Sequence, residues 1–166
     1  MLTHVDPPVP RRATTEEAGQ VAELWLRSRR AAVPAIPAPV HSDEEVRAHF
    51  ALVIAGCEVW VLDGAEGAVV ALLVLRPGWV DQLYVDPART GQGLGSALLD
   101  LAKSRGGGAL DLRTFERNVG ARRFYERHGF AEVATTAGDN EEGAPDVRYR
   151  WTPTSVTPAG ARGGST

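Results

Sequence analysis

Leu83-Tyr84-Val85-Asp86-Pro87-Ala88-Arg89-Thr90-Gly91-Gln92-Gly93-Leu94-Gly95-Ser96-Ala97-Leu98-Leu99 is the stretch that decides the reading of this chain. A short apolar strand meets a proline-marked break, then a loop with alternating glycines, then an amphipathic helix. Glycine carries no Cβ, so Gly91, Gly93 and Gly95 let backbone N–H groups crowd against a ligand. Those amides stand where a helix begins, and unpaired donors and the positive end of the helix dipole converge on one spot. The stretch therefore predicts a phosphate or pyrophosphate site, and with it a phosphorylated cofactor.

Three phosphate-binding designs compete for it. A P-loop needs Lys-Ser or Lys-Thr after its last glycine, whereas Ser96-Ala97 follows Gly95 here. A dinucleotide fingerprint is nearer. Gly91-x-Gly93-x-x-Ser96 lacks only its third glycine, and Asp111 lies about 20 residues beyond Gly91, the spacing of a ribose-binding acid. Yet the residues from Asp86 to Thr90 separate the strand from the first glycine, and Asp111 sits mid-strand between Leu110 and Leu112.

The third design fits best. The segment resembles motif A of the GNAT acyltransferases, the acetyl-CoA-dependent N-acetyltransferase superfamily: Arg/Gln-x-x-Gly-x-Gly/Ala after a strand that ends in Val-x-Pro. Val85-Asp86-Pro87 and Thr90-Gly91-Gln92-Gly93-Leu94-Gly95 supply these parts, with Thr90 where the family has Arg or Gln and Arg89 one place early. A loop that grips through backbone amides is tuned by that change rather than abolished. A second stretch strengthens the resemblance. Asn118-Val119-Gly120-Ala121-Arg122-Arg123-Phe124-Tyr125-Glu126-Arg127-His128-Gly129-Phe130 matches motif B, Asn-x-x-Ala-x-x-Phe-Tyr-x-x-x-Gly-Phe, at every named position. Asn118 suits a helix N-cap and Gly129 a helix-ending C′ position, while Ala121, Phe124, Tyr125 and His128 share one helical face.

The remaining segments read in an alternating α/β order. A first strand is expected within Val9–Ala13. Thr14 with Glu17 and Ser42 with Glu45 form capping boxes that open helices to about Arg30 and Ala55. The proline-rich stretch Val33–Pro39 between them suits neither helix nor central strand. Strands at Glu58–Leu62 and Ala68–Arg76 are joined through Asp63-Gly64, and Pro77-Gly78 turns the chain into Trp79–Val85. Gly106-Gly107-Gly108 ends the glycine-loop helix near Arg105. After the strand Ala109–Phe115 and the motif B helix come strands at Phe130–Thr135 and Val147–Trp151.

This order resembles the GNAT fold: an α/β domain over 9–151, with a central mixed, mostly antiparallel twisted sheet of about seven strands and about four flanking helices. Residues 1–8 and the Pro/Gly/Ser/Thr-rich 152–166 are expected to be flexible.

Composition agrees. A chain of 166 residues with 43% hydrophobic and 23% charged residues suits a single soluble globular domain. Its net charge of −3 gives no footprint for nucleic acid or an anionic membrane, so neither partner is expected. The longest apolar run, Ala68–Leu75, is too short to cross a bilayer, and no signal peptide is apparent at the start. A lone Cys57 excludes an internal disulfide framework, and it is expected to be inert and buried. The cytoplasm is the default compartment. His4, His41, His49 and His128 show no metal spacing, so no metal is expected. No Gly-x-Ser-x-Gly elbow marks a serine hydrolase.

The resemblance implies a reaction in which acetyl passes from acetyl-CoA to a primary amine in a ternary complex. It maps the family's general acid onto Tyr125, whose phenol stays protonated at neutral pH. The general base comes from the strand before the glycine loop. There Trp79, Asp81, Leu83 and Val85 alternate onto one face, and Asp81 is the carboxylate among them. Glu116 is a second possibility, and Asp81 could equally serve only to solvate its turn. The pantetheine would lie beside Leu83, Tyr84 and Val85 like an added strand, held by main-chain groups of Leu83 and Val85. Thr90, Gly91, Gln92, Gly93, Leu94, Gly95 and Ser96 would hold the pyrophosphate. Asn118 would touch the cofactor, cap its helix, or do both, and Arg122 or Arg123 could meet a phosphate. The acceptor, a small-molecule or peptide amine, would lie between Trp25–His41 and the acidic loop Ala137–Asp146. A monomer or homodimer is expected. A non-catalytic acyl-CoA-binding module on the same scaffold is the competing reading, and Tyr125 in place favours the enzyme.

Overall fold

The computed structural model describes residues 7–154, so most of both segments read as flexible lies outside it. Thr14 opens the first helical segment: its backbone N–H donates to Glu17 Oε2 at 2.8 Å, across a single 3-10 turn that leads into α1 (Ala18–Ala31). Ser42 opens α2 (Asp43–Gly56) the same way, its hydroxyl accepting from the Glu45 amide at 3.2 Å. Both capping boxes are therefore real. Cys57 caps the end of α2 and is half-buried rather than buried, because it stands at the chain's turn from helix to sheet rather than inside a strand.

The sheet contains β1 (Arg11–Arg12), β2 (Glu58–Asp63), β3 (Val69–Arg76), β4 (Trp79–Val85), β5 (Leu110–Phe115), β6 (Ala131–Thr136) and β7 (Asp146–Trp151), in the spatial order β1-β2-β3-β4-β5-β7-β6. Every neighbouring pair is antiparallel except β4 with β5. With α3 (Leu94–Arg105) and α4 (Val119–Arg127) this is the expected mixed sheet of seven strands flanked by four helices. The β2–β3 link is longer than a two-residue Asp63-Gly64 hairpin. The chain makes a 3-10 turn at Ala65–Gly67 and closes when the Gly64 amide donates to Ala68 O at 2.8 Å.

Two apolar cores sandwich the sheet. On one face α1 and α2 pack Val21, Leu24, Phe50 and Val53 onto Val59, Val61, Leu72 and Val74. On the other, α3 and α4 pack Leu98, Leu99, Ala102 and Tyr125 onto Leu73, Leu112, Val147 and Tyr149. β3 reads as an uninterrupted apolar run because both of its faces are covered, and seven of its eight residues are buried. No helix among the described residues is long and apolar enough to cross a membrane.

The sheet opens between its central strands β4 and β5. The parallel pair β4/β5 meets only at Trp79–Asp111, beside a hydrogen bond from the Asp111 amide to Gly78 O at 2.9 Å. Beyond that point the strands part, and the gap runs from one face of the sheet to the other.

Candidate active site

The glycine loop sits at the end of this gap. Gly91 and Gly93 have φ of +76° and +78°, a left-handed backbone in which a Cβ is strained. Gly95 serves a different purpose: a Cβ there would stand 3.2 Å from Phe124 Cζ, so its absence lets α3 press against α4. Gly93 caps α3 without a side-chain acceptor, and the helix's first internal contact is from the Ala97 amide to Gly93 O at 3.0 Å. Among the described residues, the amides from Gly91 to Ser96 have no protein acceptor. They form the cluster of orphan donors that a pyrophosphate requires.

The edge of β4 offers a second set of donors and acceptors. The Asp86 amide donates to Val70 O at 2.8 Å, which makes Val85 and Ala71 a non-hydrogen-bonded antiparallel pair. Leu83 and Leu73, two residues back, are of the same kind. The main-chain groups of Leu83 and Val85 thus point away from β3, into the gap. Ser28 Oγ donates to Val85 O at 3.1 Å, which leaves Leu83 N–H, Leu83 C=O and Val85 N–H open there.

Two cavities fill the gap. The larger, of about 780 Å³, runs along the glycine loop and is lined by Leu83, Tyr84, Val85, Thr90, Gly91, Gly93, Leu94, Gly95, Ser96 and Asn118 from the sequence reading, but not by Gln92, which is exposed. The smaller, of about 170 Å³, lies between β4, β5 and the β6–β7 loop, with Asp81, Gln82, Arg113, Asn140 and Asp146 in its wall. They share Ile36, Leu83, Tyr84, Asn118, Ala121 and Tyr125. Tyr125 therefore stands where they join.

Asn118 does cap α4, its Oδ1 accepting from the Ala121 amide at 3.2 Å. That cap starts a helix one face of which carries Ala121, Phe124 and Tyr125, with the capping residue His128 after it, to the larger cavity. The Tyr125 ring packs on Phe124 and Phe130, with centroids 5.3 and 5.8 Å away. Its hydroxyl has no hydrogen-bond partner among the described residues. Burial, with a smaller contribution from Tyr84, pushes the Tyr125 phenol above its ordinary range. The group is a proton donor at any physiological pH.

Several sequence expectations need correction. β4 carries a bulge: Val74 pairs with Gln82 and Leu75 with Val80, so Asp81 has no partner on β3. The bulge shifts the alternation, and Val80, Leu83 and Val85, not Trp79 and Asp81, face the α3/α4 core. Asp81 is exposed, lies 3.4 Å from Arg76 Nε, and lines the smaller cavity. Glu116 points elsewhere and belongs to a separate surface hollow. Arg122 is committed to Tyr149 Oη at 3.0 Å and Glu132 at 3.1 Å, and Arg123 is exposed; it is Arg89 and Arg127 that line the larger cavity.

Sequence reasoning also missed contacts that only folding creates. His128 Nδ1 is 2.7 Å from Phe124 O, a pure acceptor, so Nδ1 carries the proton. Nε2, 2.9 Å from Ser96 Oγ, then accepts the serine's proton when the ring is neutral. Arg29, only 5% exposed, lies 4.9 Å over Trp25 and 5.5 Å over Phe115 and donates to Glu142 at 3.0 Å. It ties α1 to the β6–β7 loop. His41 in the α1–α2 connection meets Glu141 of the same loop at 3.0 Å. No group of three or more His, Cys, Asp or Glu that could hold a metal occurs among the described residues.

Residues 55–132, which include the glycine loop, β5 and α4, match the family model described as the acetyltransferase (GNAT) domain. Over that stretch, a little under half of its length, the chain is similar to the GNAT acetyltransferase domain. It is 28% identical over 131 residues to the peptidyl-lysine N-acetyltransferase YjaB of Salmonella typhimurium, covering 78% of this chain and 88% of that one. It is 36% identical over 89 residues to the mycothiol acetyltransferase of Beutenbergia cavernae, a match over 48% of this chain but only 30% of that longer protein. Among solved GNAT structures, the PaiA N-acetyltransferase of Thermoplasma acidophilum in complex with coenzyme A superposes with a TM-score of 0.65 at 15% identity, over 89% of this chain and 99% of that chain. At that identity the likeness is one of fold.

Proposed function

We propose that the protein is an acetyl-CoA-dependent N-acetyltransferase that acylates a primary amine in a ternary complex. One observation carries this reading. The unpartnered Tyr125 hydroxyl sits at the junction of two cavities, one walled by the orphan amides of Gly91–Ser96 and the other by carboxylates. The first cavity suits the diphosphate and pantetheine of the coenzyme, and the coenzyme A complex of the PaiA relative supports that choice. The second suits an amine.

The chemistry follows from the junction. The amine arrives as an ammonium and gives a proton, through water, to Asp81 on the cavity wall. Its nitrogen then attacks the thioester carbonyl carbon, forming the C–N bond. The tetrahedral adduct's nitrogen loses its extra proton to solvent as collapse breaks the C–S bond, and the departing thiolate takes the Tyr125 proton. Tyr125 is restored through solvent, and the products are an amide, free coenzyme A and one released proton.

The test is Tyr125→Phe. The ring packing survives, so acetyl-CoA should bind calorimetrically with wild-type affinity while turnover falls by about 10²–10⁴-fold, the usual size of a proton-transfer contribution. Undiminished turnover would remove Tyr125 from the reaction. Binding of acetyl-CoA with no transfer to any amine, by either protein, would favour the non-catalytic module.

A further inference from the structure

Only Ser28, Arg29, Asp111 and Asp146 are buried polar or charged side chains among the described residues. Ser28 donates to Val85 O on β4, Arg29 donates to Glu142 of the β6–β7 loop, and Asp111 is held by Arg148 and by Arg150, the latter at 2.7 Å. Asp146 differs. It is 7% exposed, yet it accepts only from neutral groups, Thr136 Oγ1 at 2.7 Å and Asn140 Nδ2 at 3.2 Å. No Lys, Arg or His among the described residues comes within salt-bridge distance of it. A buried carboxylate without a counter-charge is costly, and its two oxygens offer about four acceptor sites, of which the protein uses two.

Its position gives that vacancy a meaning. Along β7, Val147 and Tyr149 enter the α3/α4 core, so Asp146 belongs to the opposite face of the sheet. There it lines the smaller cavity, whose shared wall contains Tyr125. Outside that shared wall the smaller cavity is also lined by Asp81 and one guanidinium, Arg113, which is drawn over the Trp79 ring at 5.7 Å. The carboxylate is also braced. Asn140 Nδ2 donates to Ala144 O at 2.7 Å and its Oδ1 accepts from the Ala144 amide at 3.2 Å, so the loop fixes the amide that orients Asp146.

We propose that Asp146 binds the acceptor's ammonium group, and that the acceptor is therefore a protonated primary alkylamine delivered from the sheet face opposite the glycine loop. A primary ammonium brings three donors and a compact charge, which suits two free acceptor sites in a cavity of about 170 Å³. This assignment rests on the acyl-transfer reading above and names the recognition element for its second substrate.

Three measurements on the full chain separate the possibilities: calorimetric binding of acetyl-CoA, acetyl transfer to n-butylamine, 1,4-diaminobutane and Nα-acetyl-lysine methylamide read by thiol release, and melting temperature. Asp146→Asn keeps the shape and removes the charge. It should raise the KM of the best amine at least tenfold and leave acetyl-CoA affinity within twofold. Thr136→Val removes the same carboxylate's structural hydrogen bond and keeps its charge, so it should change that KM far less. An unchanged amine KM in Asp146→Asn overturns the proposal, as does Thr136→Val reproducing the full defect, which would make Asp146 a loop brace. Wild-type protein that binds acetyl-CoA yet acetylates none of the amines also overturns it. Failure to bind acetyl-CoA at all would instead bring down the acyl-transfer reading beneath it.

Discussion

Ser96 shows how a single side chain acquires a role through a distant partner. Sequence places it in the first turn of a helix, where its amide is one of the orphan donors. Folding adds His128 from just past the end of α4; with Nδ1 on Phe124 O, its Nε2 stands 2.9 Å from the Ser96 hydroxyl, accepts its hydrogen bond and fixes its rotamer at the cavity wall. Because that proton is already given to His128 and a phosphate only accepts, Ser96→Ala should leave calorimetric coenzyme A affinity within about twofold of wild type. A loss of about tenfold would mean that the hydroxyl turns from His128 to the phosphate when the cofactor binds. Tyr125 was legible as a candidate acid from the Asn-x-x-Ala-x-x-Phe-Tyr pattern. That its hydroxyl lacks a protein partner was not, because that depends on which atoms of β4 and β5 fail to reach it.

At the scale of elements, the close approach of α3 and α4 matters more than either helix. Gly95 is where they touch, and a methyl group at that position needs the Phe124 ring to give way from 3.2 Å. Gly95→Ala should cost about 1–3 kcal/mol in chemical denaturation through overpacking, and it should weaken coenzyme A binding because α3 carries the loop amides with it. Wild-type affinity in a destabilised variant would uncouple the packing from the site. The helices and strands themselves could be read locally: capping boxes at Thr14 and Ser42, turn signals at Pro77-Gly78, and the stop at Gly106–Gly108 all act within a few residues. The bulge at Asp81 could not. It is set by how β4 pairs with β3, and one inserted residue moved Asp81 off the face that simple alternation assigned to it.

For the whole molecule, part of the acid stability rests on the buried Asp111 carboxylate, which Arg148 and the exposed Arg150 tie from β7 to β5. Hydrogen bonds from Arg150, then Arg148, hold the Asp111 carboxyl at about 2, below its ordinary 3.8, against the opposing effect of burial. A depressed folded-state pKa contributes stability that is present above the unfolded value and is lost as pH falls through 3.8 toward 2. The contribution is roughly 2 kcal/mol at neutral pH. Asp111→Asn should therefore melt lower at pH 7, and its stability should fall less steeply than wild type between pH 5 and pH 2. Parallel pH profiles for the two proteins would remove Asp111 from the acid transition. The net charge of −3 says nothing about this group, which is a matter of pairing rather than of total charge.

The amino-acid sequence alone determined what acts over short distances: the order of helices and strands, the glycine loop with its uncapped amides, and the helix that carries Tyr125. These follow from capping, periodicity and backbone freedom, and each needs only a few consecutive residues. The tertiary structure alone decided which groups are left over. Among the described residues, β4 and β5 separate after Trp79–Asp111, so Leu83 and Val85 keep unpaired main-chain groups; Arg148 and Arg150 go to Asp111 and no cation goes to Asp146; His128 reaches Ser96 across 32 residues of chain. Whether a polar group is satisfied depends on every neighbour it meets after folding, and those neighbours come from distant parts of the sequence.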